Sequence, residues 1–408
     1  MNFNEEDIRS DVGFVCIGQA AGNIGLLFEE KGYNVLYINT SSEDLALLKN
    51  AKHVYHVPNG EGCAKDRDKA KYHLANDIDH LLDLIETKVP QKNVFVVFAS
   101  GGGTGSGISP YLLNILVEKF STDEDGELSA NPAKLFSAIT ILPSDSEPLQ
   151  PAINSYSCCK EILDIENLGT VFFIDNNSME DKMKINKVFV SELDTVLSIP
   201  ALHKSVKGNV DKAEIKKVIF ETHGMGKILC RPRERGTAEC IIHDLKDKSI
   251  YAPASLNGTV LYYVMSTTQD IDKKSIFVEF GEPLDTFQTF NEKNNIVLMT
   301  GMSFPLDRLK GISTRVKAKR DKIEDSYEGL IENGLIDDVS LGVLRIISKN
   351  VKKGDNMEVV TEKRGSTYTT YVNSKSGKCA NCVPSMKHDS CDANKLLQEH
   401  DTFVKGLN

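Results

Sequence analysis

The sequence predicts an α/β protein: a mostly parallel sheet covered by helices, joined through a central helix to a smaller α+β domain and followed by a C-terminal tail. Three observations carry this. Short continuous apolar runs recur through the first half, as strands buried on both faces require. Segments with apolar residues three and four apart separate those runs, as helices between parallel strands would. Glycine-rich loops close two of the runs just where a helix begins.

Taken in order, Val12 to Ile17 (VGFVCI) reads as a buried strand ending at Gly18, and residues 24–30 have helical spacing. Val35 to Ile38 is a second strand, closed by Asn39 and Thr40. Tyr72 to Lys88 reads as one amphipathic helix, Val94 to Ala99 as a third strand and Pro110 to Phe120 as a helix. Leu135 to Leu142 and Val171 to Ile174 complete the strands of this half. Residues 185–197 form the helix that leaves the sheet. Beyond it the apolar runs are 260–265, 275–280 and 296–300, followed by helices over Leu306 to Ile323 and Asp337 to Ser348. Thr361 to Val372, rich in Thr, Tyr and Val, is a hairpin or a segment that orders on binding. The expected division is 12–185, 186–208, 209–350 and 351–408.

Composition excludes several classes. With 408 residues the chain can bury a core without disulfide staples. Lys+Arg 48 against Asp+Glu 58 gives a net charge of −10, so the body as a whole is not a nucleic-acid-binding surface. No apolar run is long enough to span a membrane, and the acidic, polar start MNFNEEDIRSD does not read as a secretory signal. Nine scattered cysteines read as reduced thiols, and the expected compartment is the cytoplasm.

The strongest motif is Gly101-Gly102-Gly103-Thr104-Gly105-Ser106-Gly107, between a buried strand and a helix. Glycines let backbone N–H groups crowd around an anion, the helix start adds partial positive charge, and Thr104 and Ser106 offer hydroxyls to phosphate. A second loop, Gly18-Gln19-Ala20-Ala21-Gly22-Asn23-Ile24-Gly25, opens the first helix. It is neither the dinucleotide fingerprint nor a P-loop. Two such loops after different strands suit one nucleotide held over the carboxyl edge of the sheet. A nicotinamide-linked oxidoreductase stays open as the reading of a different class.

GGGTGSG matches the signature of the tubulin/FtsZ superfamily of GTPases position for position, and IGQAAGNIG resembles the family's first nucleotide loop. Tyr37 to Thr40, Asn59 to Lys65, Pro143 to Glu147 and Ile174 to Asn176 resemble further family landmarks in the same order. The likeness covers residues 12–225 clearly and 226–350 in outline, and is nearest to plasmid and phage TubZ-type members. It implies a tubulin/FtsZ-like GTPase domain binding GTP or GDP with Mg²⁺. It implies head-to-tail filaments and hydrolysis completed by the next subunit. DNA segregation or positioning is the implied role, with a cell-division or cell-shape filament as the alternative. A non-hydrolysing nucleotide scaffold remains open.

On this resemblance the nucleotide contacts are Gly18, Gln19, Ala20, Gly22, Asn23, Asn39, Gly101, Gly102, Gly103, Thr104, Gly105 and Ser106. Glu147 would meet the ribose, Asn176 and Asn186 the base, and Glu61 a Mg²⁺ ion through water. Where the family has a basic residue four beyond the glutamate, this chain has Pro151. Asn209, Asp211 and Glu214 resemble the catalytic loop that reaches a neighbour's γ-phosphate. Asp-x-x-Glu before an apolar run is also a helix capping box, and the two roles are compatible.

Cys379, Cys382, His388 and Cys391 either close a zinc loop or are free thiols. Between Lys363 and Lys387 the charged residues are all basic. Such a run is a solvated tail, or a contact for DNA phosphates or for a DNA-bound adaptor's acidic face.

Overall fold

In the computed structural model, residues 7–332, 357–364 and 367–374 are described. The chain forms two compact units, Met1–Ser313 and Thr314–Asn408. The first unit is built on one ten-stranded sheet in the order β3-β2-β1-β4-β5-β6-β7-β10-β8-β9. Its elements run β1 (Val12–Ile17), α1 (Gln19–Glu30), β2 (Asn34–Asn39), α2 (Ser42–Ala46), β3 (His53–His56), α3 (Arg67–Ala75), α4 (Ile78–Lys88) and β4 (Asn93–Ala99). There follow α5 (Thr104–Phe120), β5 (Leu135–Leu142), α6 (Leu149–Leu163), β6 (Thr170–Asp175), α7 (Lys182–Leu197), α8 (Ile199–Leu202) and α9 (Lys212–Phe220). The remainder is β7 (Gly224–Pro232), α10 (Ala238–Asp247), β8 (Tyr262–Thr267), α11 (Lys273–Phe280), β9 (Asp285–Phe290) and β10 (Asn294–Met302), and α12 (Leu306–Glu332) begins in this unit and ends in the second.

β3 through β7 pair in parallel, which aligns the carboxyl ends of β1, β4, β5 and β6 along one edge. β10 lies antiparallel between β7 and β8, and β9 pairs parallel with β8. The sheet therefore runs unbroken through the division expected at residue 209, because Thr170 and Val171 of β6 pair with Gly224 and Met225 of β7. The core is aromatic where α1 and α7 cross the sheet. Phe14 stacks on Phe28 at 4.0 Å between ring centroids, and Phe95, Phe172 and Phe189 continue the cluster.

Two expectations are corrected. The helix expected over Tyr72 to Lys88 breaks between α3 and α4. There the Asn76 side-chain amide donates to Tyr72 O and Asp77 accepts the Tyr55 hydroxyl at 2.6 Å, so short polar side chains compete with the helix ladder. The helix expected from Pro110 begins at Thr104, inside the glycine motif, and carries Pro110 in its interior. The apolar run at 275–280 lies in a helix, α11. The helix expected over Asp337 to Ser348 and the cysteine cluster Cys379, Cys382, His388 and Cys391 lie outside the described residues. In the second unit β11 (Met357–Arg364) and β12 (Thr367–Ser374) pair antiparallel from Met357↔Ser374 to Arg364↔Thr367, which agrees with the hairpin reading.

α7 also carries a buried acid. Glu192 accepts the Cys230 N–H at 3.3 Å and the Tyr251 hydroxyl at 3.2 Å, with Arg231 Nη1 at 3.6 Å. Burial raises its pKa from 4.5 to about 7, against Arg231 and the two hydrogen bonds, which lower it. A folded-state pKa above the unfolded one contributes stability that is complete below the lower value and lost as pH rises through the upper. Glu192→Gln keeps an acceptor and removes the titration. Its unfolding midpoint in urea is expected to gain on that of the unmutated protein between about pH 5 and about pH 8. A constant offset across that window would mean that Glu192 does not titrate there.

Candidate functional site

The carboxyl edge of β1 and β4 opens into a cleft of about 470 Å³. The two glycine loops meet there. Gly18 has φ +85°, and a Cβ placed on it would lie 3.3 Å from Gly105 N. A Cβ on Gly105 would lie 2.9 Å from Ile17 O, so each loop leaves the space the other fills. A third loop, 59–65, closes the wall: a Cβ on Gly103 would stand 2.8 Å from Lys65 Cα. Ala64 and Lys65 hold left-handed φ values of 46° and 63°, a strained backbone for residues with side chains. Asn154 of α6, almost fully buried, fastens this loop to the glycine run by donating to Lys65 O and Gly102 O, each at 2.9 Å.

Of the residues expected to hold nucleotide, Gly18, Gln19, Ala20, Asn39, Gly102, Gly103, Thr104 and Gly105 line the cleft. Thr104 Oγ1 lies 2.7 Å from Thr40 Oγ1. Asn39 is oriented by its own surroundings, donating to Asp44 at 3.2 Å and accepting the Ser41 N–H. Gly22 and Asn23 sit a turn further along α1 and Gly101 packs on Pro151; none of the three is among the cleft residues. Ser106 differs from expectation. It is fully buried and its hydroxyl donates to Gly102 O, shaping the loop from behind instead of facing the cleft.

Glu147, Asn176 and Asn186 are not among the cleft's lining residues. Glu147 and Asn176 follow β5 and β6 on the same carboxyl edge. Burial works against ionisation of Glu147, but Lys182 Nζ at 2.7 Å, the Ser144 N–H and Asn176 hold its pKa below the ordinary carboxylate value. Lys182, at the start of α7, is a cation beside Glu147 where Pro151 offers none. Asn186 is buried on α7 one turn on. Arg308 of α12 braces this end, donating to both Asp175 carboxylate oxygens, to Asp145 and to Pro143 O.

Glu61 is exposed on the cleft wall, where Glu43 and Asp44 also lie. Among the described residues no group of three His, Cys, Asp or Glu side chains is arranged to hold a metal. Sequence reasoning passed over Ser41, Glu43, Asp44, Cys63, Ala64 and Lys65, which share the wall. For Cys63, Ala64 and Lys65 the signal was the loop at 59–65, legible only as an outline; Ser41, Glu43 and Asp44, at the start of α2, carried none.

Asn209, Asp211 and Glu214 lie elsewhere. Lys212 Nζ reaches Asp11 at 3.7 Å, and Asp11 precedes β1, so this turn occupies the amino edge of the sheet. The length of β1, about 20 Å, separates it from the cleft. Here the capping box forms: Glu214 N–H donates to Asp211 Oδ1 at 2.9 Å and Asp211 N–H to Glu214 Oε2 at 2.8 Å. Burial, and then the charges of Asp211 and Asp285, raise the Glu214 pKa, opposed by the Asp211 N–H. Asn209 and Asp211 are exposed.

Two glycine loops back to back on the carboxyl edge of a parallel sheet, with a helix starting inside the longer one, define a nucleotide-binding α/β protein. Residues 4–184 match the family model "Tubulin/FtsZ family, GTPase domain". The Tubulin-like protein TubZ of Clostridium botulinum C phage is 30% identical over 363 residues, covering 86% of this chain and 96% of that protein. The solved structure of tail-truncated TubZ from Clostridium botulinum phage c-st, 28% identical, superposes with a TM-score of 0.68 over 77% of this chain and 99% of the other. A GTPγS-form protofilament of Bacillus thuringiensis serovar israelensis TubZ shares the fold at 16% identity, with a TM-score of 0.64 over 78% of this chain and 94% of its own. The chain belongs to the Tubulin/FtsZ family and is a GTPase. Guanine nucleotide is therefore its ligand, and the oxidoreductase reading falls.

Proposed function

We propose that this GTPase assembles head to tail into filaments and that each joint completes the active site of the subunit it covers. One observation carries the reading: the cleft and the acids of Asp211 and Glu214 stand at opposite edges of one sheet, too far apart to meet within a subunit. Stacked copies of the same chain bring one edge onto the other, and a heterologous contact that does not close yields a filament. The glycine loops bind and orient the triphosphate. Asn209, Asp211 and Glu214, arriving from the neighbour, orient and polarise the attacking water, the main task left to a protein in phosphoryl transfer. The raised pKa of Glu214 suits a group that takes up a proton.

Mg²⁺ fits the oxygen-rich wall of Glu61, Asp44 and Asn39. It would keep most of its waters, share phosphate oxygens with few protein ligands, and neutralise charge on the triphosphate. The Bacillus thuringiensis relative was solved as a protofilament, which supports self-association, and positioning DNA is the role we assign to such filaments.

The test is concentration. GTP turnover per subunit is expected to rise steeply above an assembly threshold, followed by light scattering and phosphate release. Full-rate hydrolysis by subunits too dilute to associate would end the in-trans reading. A second expectation concerns the tail, which we assign to a DNA-bound adaptor. Deletion after Lys353 should leave GTPase activity intact and abolish adaptor binding. Loss of assembly instead would assign the tail to the joint. No helix among the described residues is long and apolar enough to cross a membrane.

A further inference from the structure

Pro110 sits inside α5 with no N–H to give, so the carbonyl of Ser106, four residues earlier, lacks its usual helical donor. Arg67, the first residue of α3, takes that carbonyl with two guanidinium donors, Nε at 3.2 Å and Nη2 at 2.8 Å. Glu161 of α6 orients the guanidinium through a hydrogen-bonded ion pair and also binds Lys71 Nζ at 2.8 Å. All three charged groups are largely shielded from solvent, with side-chain exposures of 10%, 22% and 6%. The helices meet closely at this point: a Cβ on Gly107 would lie 2.6 Å from Arg67 O. Ser106 is in turn hydrogen-bonded through its hydroxyl to Gly102 O, at the cleft.

We propose that Arg67 is a positioning residue for the phosphate loop. Acting from behind α5, it replaces the backbone donor that Pro110 lacks and sets the pitch of the helix's first turn, which presents Gly102 to Thr104 to the triphosphate. Glu161 fixes the direction from which it does so. The inference rests on the reading of Gly101 to Gly107 as the phosphate cradle.

The test is a rescue. Arg67→Met leaves Glu161 paired with Lys71, so no carboxylate is stranded. GTP affinity, read by titration with the intact protein, is expected to fall about tenfold on losing this charge-assisted contact. Pro110→Ala restores an N–H to Ser106 O, so the double variant Arg67→Met/Pro110→Ala is expected to bind within about twofold of Pro110→Ala alone. A general loss of packing would not be repaired by one backbone proton in another helix. A double variant as weak as Arg67→Met, or an Arg67→Met that binds normally, overturns the assignment. If Arg67→Met does not fold, Arg67→Lys carries the same comparison, since it keeps the charge and loses the fork; normal GTP affinity in that variant overturns the assignment too. Gly103→Trp separates the two levels. If it binds GTP normally, the cradle reading itself fails. If it does not, while the Arg67 variants bind normally, only the role of Arg67 falls.

Discussion

Gly103→Trp is expected to weaken GTP binding by at least about two orders of magnitude, measured by calorimetry on folded protein. Its first added atom alone would stand 2.8 Å from Lys65 Cα and 3.0 Å from Cys63 Cβ and Lys65 N. Lys65 has little room to yield, because Asn154 ties its carbonyl to the same anchor as Gly102 O. The indole must fill the cleft or prise the 59–65 loop from it, and either outcome removes the surface that faces the phosphates. A smaller loss is expected from Gly103→Ala, which meets the same backbone with one methyl group. Unchanged affinity in the tryptophan variant would place the nucleotide somewhere other than this cleft.

The second large effect is expected from Glu214→Gln. Glutamine still accepts the Asp211 N–H, so the capping box and the start of α9 survive. What is lost is the capacity to take a proton from water. Phosphate release is expected to drop about a hundredfold with GTP binding unchanged, leaving long-lived polymers. Glu214→Ala should show the same kinetic defect plus about 0.5–1.5 kcal/mol of lost stability from the hydrogen bond to the Asp211 N–H, while the Asp211 cap itself stays. Normal turnover in the glutamine variant would reduce Asp211 and Glu214 to a cap. Unfolding measurements on the two variants separate the roles, since only the alanine change touches the hydrogen bond.

Much of the molecule was legible before any coordinates. The glycine run between VFVVFAS and a helix marks a loop with no room for side chains, and at Gly18, Gly103 and Gly105 neighbouring backbone comes that close. The buried strands β1, β4 and β5 are predominantly apolar runs and sit where that pattern placed them. Less was legible where the pattern is short or mixed. β3 (HVYH) and β9 (DTFQTF) are edge strands, half-exposed and polar, and their apolar signal is correspondingly weak. The break at Asn76 depends on a tyrosine from β3, and the Ser106 carbonyl that Pro110 leaves without a helical donor finds one in Arg67 of α3.

Local chemistry was thus enough for the glycine run at a strand's carboxyl end, the capping turn at Asp211 and the parallel core. Each follows from steric freedom, hydrogen bonding or apolar period within a few residues of chain. What required the folded chain was distance. Asp211 and Glu214 belong to the far edge of the sheet, Ser106 points away from the cleft, and a single sheet crosses the boundary expected at residue 209. Those facts arise from strand order and from partners such as Arg67 and Asn154, dozens of residues away along the chain, and no local propensity encodes them.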